Sequence, residues 1–103
     1  MKKYIKTPTI GEILNEEFFT PLGLSAYKVA QAINVPVSRI QDILHDRRRI
    51  TVDTSLRLAK FLGVSDDYFI SLQDDIDIRN LKKNFFSSHP GVEKKIQGET
   101  FFL

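Results

Sequence analysis

The chain contains no cysteine, so neither a disulfide scaffold nor a thiolate metal site is available to it, and it suits a reducing compartment. Long apolar runs are also missing: nowhere do about 18 apolar residues follow one another, the length a membrane-spanning helix needs. The charged start, Met1-Lys2-Lys3-Tyr4-Ile5-Lys6, is not followed by the apolar stretch of a signal peptide. A cytoplasmic protein without membrane contact is expected. His45 and His89 are the only histidines, and they lack helical i, i+4 spacing, so a zinc site would need carboxylates brought in by the fold. No glycine loop could cradle a phosphate. Gly23-Leu24-Ser25-Ala26-Tyr27 misses the nucleophile-elbow pattern because its last position is tyrosine. No catalytic set assembles, and no metal or cofactor is expected. A strong net charge is lacking too: the balance is +2 over 103 residues, so the placement of charge, not its total, must carry any argument about nucleic acid.

What remains fits one domain. Its 42% hydrophobic content with 11% aromatics suffices for a compact core, and 27% charged residues is ordinary for a surface. Apolar residues recur at three- and four-residue spacing, which predicts five helices. Thr9 caps the first, with Glu12 completing a capping box and Ile13, Leu14 and Phe18 turned inward. Thr20-Pro21-Leu22-Gly23 breaks it. Ser25 caps the second, whose Ala26, Val29, Ala30 and Ile33 form one apolar face ending at Asn34. The third starts around Pro36, buries Ile40, Ile43 and Leu44, and ends near His45-Asp46. Thr51 caps the fourth, with Leu56, Ala59 and Leu62 inside, and Gly63 stops it. Ser65 caps the fifth, with Asp66 and Asp67 in its first turn and Phe69, Leu72 and Ile76 as its stripe. It runs to about Lys83, before the terminator Ser87-Ser88-His89-Pro90-Gly91. The expected division is an N-terminal arm (1–7), a helical domain (8–84) and a poorly ordered tail (85–103).

Ala26 to Leu44 is the informative stretch. Two short helices flank a three-residue turn, with Ala30 small where they cross and Asn34 at the position that needs a left-handed backbone. This is the pattern of a helix-turn-helix, in which the second helix enters the DNA major groove and the first crosses the backbone. A helical hairpin without DNA could share the apolar spacing. Positive charge is local, however: Lys28, Arg39, Arg47, Arg48 and Arg49 stand against Asp42 and Asp46. The arginine run is either a solvated loop or a phosphate clamp that releases counterions. Val37, Ser38, Gln41, Asp42 and His45 should face outward, with Ser38 and Gln41 able to reach base edges. Asp42 either accepts from a cytosine amino group or orients an arginine, with Arg39 as its candidate partner. Ser25, Tyr27 and Lys28, at the start of the second helix, complete the candidate DNA surface.

The chain resembles the HigA/VapI family of antitoxins within the lambda-repressor-like helix-turn-helix class, over about residues 8 to 78. The carriers are Gly11-Glu12-Ile13-Leu14-Asn15-Glu16-Glu17-Phe18, Pro21-Leu22-Gly23-Leu24-Ser25, Val35-Pro36-Val37-Ser38-Arg39-Ile40 and Ile50-Thr51-Val52-Asp53-Thr54-Ser55-Leu56-Arg57-Leu58-Ala59. Asn34, Asp46 and Arg49 stand where the family often has glycine or another small residue. The resemblance implies an all-α, five-helix fold with a C-terminal helical extension. It also implies a dimer that represses its own operator and neutralises a partner toxin, usually an RNA-cleaving protein; a stand-alone repressor would share the DNA surface. Ile76, Ile78, Leu81, Phe85 and Phe86 either form a twofold dimer interface or complete the monomer core. Glu12, Glu16 and Glu17 are the first candidate surface for a basic toxin face, with Asp74, Asp75 and Asp77 as the second.

Overall fold

The computed structural model describes residues 7–88 and residue 91. The described residues form an all-α fold with no strand among them. A short helix α1 (Ile10–Ile13) continues into a π-helical segment (Leu14–Phe19), and α2 (Ala26–Ile33), α3 (Val37–Leu44), α4 (Val52–Leu62) and α5 (Tyr68–Ser88) follow. The capping box forms as its residue types require. Glu12 N donates to Thr9 Oγ1 at 3.1 Å, and Thr9 N donates to Glu12 Oε1 at 2.9 Å.

The π-helical segment changes which phenylalanine is buried. A helix of ordinary pitch pairs Leu14 with Phe18. The wider turn, closed by Thr20 N to Asn15 O at 2.8 Å, instead carries Phe19 into the core. Ile13 and Phe18 pack against the core half-buried. Phe18 still has a purpose there, because its ring meets Tyr68 and Phe69 edge to face at 5.9 and 5.4 Å, tying the first helix to α5.

Four helix ends close in the same way, on a left-handed residue at Gly23, Asn34, Asp46 and Gly63. After α4, Gly63 takes φ 77° while Gly63 N and Val64 N both return to Ala59 O, so that carbonyl of the last turn accepts two hydrogen bonds.

Leu56 is a correction to the expected core. It is exposed, and Thr54, Ser55, Leu58 and Ala59 form the buried face of α4. Polar residues occupy half of that face without an unpaired atom: the Ser55 hydroxyl accepts from Ile70 N at 3.2 Å. Leu62 is half-buried against the core. α5 begins at Tyr68, after a turn in which Tyr68 N bonds to Ser65 O and the Ser65 hydroxyl donates to Asp67. The helix runs to Ser88, past the expected end at Lys83, so the boundary drawn at 84/85 falls inside it. Residues 1–6 of the arm and residues 89, 90 and 92–103 of the tail lie outside the described residues.

Candidate nucleic-acid interface

The turn between α2 and α3 is fixed by its backbone. Asn34 adopts φ 61° and ψ 54°, while Asn34 N returns to Gln31 O at 3.3 Å and Val35 N to Ala30 O at 3.0 Å. Asparagine tolerates this conformation better than any branched residue would. Arg57, on α4, adds a contact that local sequence reading misses. Its Nη1 donates to Ile33 O at 2.8 Å, closing the end of α2, while its Nε pairs with Asp53. The end of α2 is thus tied to α4.

On α3, Ile40 and Ile43 are fully buried and Leu44 is half-buried. Ser38, Gln41 and His45 are exposed and follow one another at three- and four-residue steps, so they share one solvent face. Val37, expected on that face, is the first residue of α3 and packs half-buried against the core instead, as its apolar side chain favours. Arg39 is half-buried. Ser25 is exposed and caps α2 through Lys28 N at 3.1 Å; Lys28 is exposed beside it. Tyr27 is exposed, and its hydroxyl accepts from Gln31.

Asp42 turns out to orient arginines, and its partner is not Arg39. Its Oδ1 accepts from Arg47 Nε and Nη2 at 3.2 and 3.1 Å, and its Oδ2 lies 3.9 Å from Arg48 Nε. Ion pairs this exposed add little stability. Their consequence is geometric: a carboxylate in the last turns of α3 holds the Arg47 guanidinium by two hydrogen bonds and keeps that of Arg48 within ion-pair distance. Arg49 turns elsewhere, to Asp77 Oδ2 on α5 at 2.6 Å. The hydrogen bond that Arg49 donates to Asp77, and then the charge of Asp77, raise the pKa of Arg49, against an opposing effect of burial and with help from Asp74.

Asp46 has φ 60°, a backbone that glycine usually supplies, and its Oδ1 accepts from Gly11 N at 3.0 Å. The loop that carries the arginines is thereby tied to the first turn of α1. A buried glutamine on α5, Gln73, bonds the same loop at Ile50. Nothing in the spacing of apolar residues marks either tie.

The other candidate surfaces divide as follows. Glu12, Glu16 and Glu17 are exposed, Glu12 being engaged in its capping box. Asp75 pairs with Arg79. Ile76 is buried and so completes the core, one of the two roles the sequence left open, while Ile78 and Leu81 are 61% and 59% exposed. The side chains of Phe85 and Phe86 lie outside the described residues. Among the described residues no group of histidine and carboxylate side chains could hold a metal ion, and no helix is long and apolar enough to cross a membrane.

This arrangement has relatives. The chain is 42% identical over 69 residues to virulence-associated protein I of Dichelobacter nodosus, an alignment that covers 67% of this chain and 64% of that protein. A solved addiction module antidote protein of a HigA family, from Coxiella burnetii, is 37% identical and superposes with a TM-score of 0.69 over 96% of this chain and 100% of the other. Antitoxin GraA in complex with its operator is 28% identical, with a TM-score of 0.78 over 92% of this chain and 96% of that one. Residues 16–69, which span the turn, both of its helices and the arginine loop, match the helix-turn-helix family model, and the chain belongs to the helix-turn-helix family.

Proposed function

We propose that the chain is the antitoxin of a toxin–antitoxin pair and represses its own operator. It binds double-stranded DNA through α3 and the arginine loop, and it neutralises a cognate toxin that cleaves RNA. The observation that carries the reading is the pairing of a solvent face at Ser38, Gln41 and His45 with guanidinium groups ordered by Asp42 at the end of the same helix. Hydroxyl and carboxamide groups suit base edges, and arginines suit phosphates. Similarity to an addiction module antidote and to an operator-bound antitoxin supports both halves of the proposal.

One α3 covers one half-site. The protein therefore acts as a twofold dimer on a near-palindromic operator, with half-sites about one helical turn apart. Ile78 and Leu81, exposed on α5, are the proposed contact between protomers. The exposed carboxylates Glu12, Glu16 and Glu17 are the proposed toxin surface, since a protein that grips anionic RNA presents a basic face. The role is one of binding, without catalysis, in the cytoplasm.

The test is a mobility shift of the DNA upstream of this reading frame against unrelated DNA, repeated with the product of the neighbouring frame. The proposal expects a selective shift and a stable complex of the two proteins. A selective shift without that complex would leave a stand-alone repressor, and no selective shift would refute operator binding.

A further inference from the structure

Gln73 occupies a place where the apolar stripe of α5 should continue. It lies four residues after Phe69 and three before Ile76, both buried, and is itself 5% exposed. A carboxamide in such a stripe is unfavourable unless each of its polar atoms has a partner. Here each does. Nε2 donates to Ile50 O at 2.8 Å, and Oε1 accepts from Ile50 N at 2.7 Å, so one side chain closes both hydrogen bonds of one backbone residue.

Ile50 directly follows Arg47-Arg48-Arg49 and is 3% exposed, between the end of α3 and the cap of α4. At the front of the loop, Arg47 N bonds to Asp42 O at 2.7 Å. At its rear the backbone is held by Gln73. One turn further along α5, Asp77 engages Arg49 itself. Arg48, Arg49, Gln73, Asp77 and Asn80 are among the residues that line a cleft of about 270 Å³ between the loop, α5 and the start of α1. A glutamine that merely filled the core would be replaceable by methionine or leucine. A glutamine that bonds the backbone next to three arginines also determines where those arginines stand.

We infer that Gln73 is a positioning residue for DNA binding: by clamping Ile50 it fixes Arg47, Arg48 and Arg49 relative to the exposed face of α3, with Asp77 as the second anchor. The inference rests on the operator-binding reading above. Gln73 touches no DNA. It acts through the loop, so its effect must vanish when the arginines are gone.

The experiment is a double-mutant cycle read by operator affinity across a salt series. Gln73→Met matches the side chain in length and removes both hydrogen bonds. Gln73→Asn, which withdraws the amide by one methylene, replaces it if circular dichroism finds the first variant unfolded at the assay temperature. In the parent background the substitution should weaken binding about ten-fold and make the salt dependence shallower by about one unit, the equivalent of one phosphate. With Arg47, Arg48 and Arg49 all changed to alanine, it should change affinity by less than about two-fold. An equal loss in both backgrounds, or an unchanged affinity and salt slope in the parent, would overturn the positioning role while leaving operator binding intact. Absence of selective binding by the unsubstituted protein would instead remove the operator reading, and the inference with it.

Discussion

Asp46 Oδ1 accepts a hydrogen bond from Gly11 N at 3.0 Å, joining residues 35 apart in sequence. Gly11 is in the first turn of α1, where backbone N–H groups have no helical partner and a carboxylate is favoured. It also lies so near the end of α3 that a Cβ would stand 2.7 Å from Ile43 O and closer still to Leu44 O. Gly11→Ala is expected to destabilise the fold by about 2 kcal/mol or more, since the obstacle is backbone. Asp46→Gly keeps the left-handed backbone and loses the bond, for about 1 to 2 kcal/mol. Urea unfolding measures both, and a Gly11→Ala protein as stable as its parent would contradict the close approach.

At the turn between α2 and α3, Asn34→Gly should be neutral within about 0.5 kcal/mol, whereas Asn34→Val should lose about 1 to 2 kcal/mol at φ 61°. Thermal unfolding of the two variants decides it. Equal stability would mean that the turn can take another backbone path.

The contrast between Asn34 and Gln73 marks how far the sequence could be read. Asn34, Thr9, Ser25 and Thr51 act on backbone groups within five residues, so their chemistry is legible from spacing alone, and the helix-turn-helix follows from them. Gln73 to Ile50, Asp46 to Gly11 and Arg57 to Ile33 span 23 to 35 residues, and no local period announces them. Two errors of phase have the same origin. The π-helical turn moves burial from Phe18 to Phe19, and buried Thr54 and Ser55 place Leu56 outside, because a satisfied hydroxyl can occupy a position that hydropathy reserves for leucine. Asp42 sits between these cases. The sequence offered it an arginine, and the fold supplied Arg47 and Arg48 in place of Arg39.

For assembly, Ile78→Lys with Leu81→Lys should convert a dimer to a monomer in sedimentation. Unfolding of the monomer should change by no more than about 0.5 kcal/mol, because both side chains are exposed. A dimer that survives both lysines would move the interface off this face of α5.

Reversal of charge at Glu16 and Glu17, both exposed and outside the capping box, should weaken the complex with the toxin while leaving the operator shift unchanged. The effect should be largest at low salt, where exposed charges are least screened. Undiminished toxin affinity in a low-salt titration would exclude this surface.

The central claim is that α3 reads bases while the arginine loop grips phosphates, and one set of salt titrations on operator and random DNA separates the two. Arg47→Ala with Arg48→Ala should weaken binding to both DNAs alike and lower the salt slope by about one unit for each phosphate no longer neutralised. Ser38→Ala or Gln41→Ala should weaken operator binding by roughly 1 to 3 kcal/mol and leave random DNA almost unaffected. An unchanged slope in the arginine variant, together with equal losses on both DNAs in the α3 variants, would contradict the assignment of this surface to DNA.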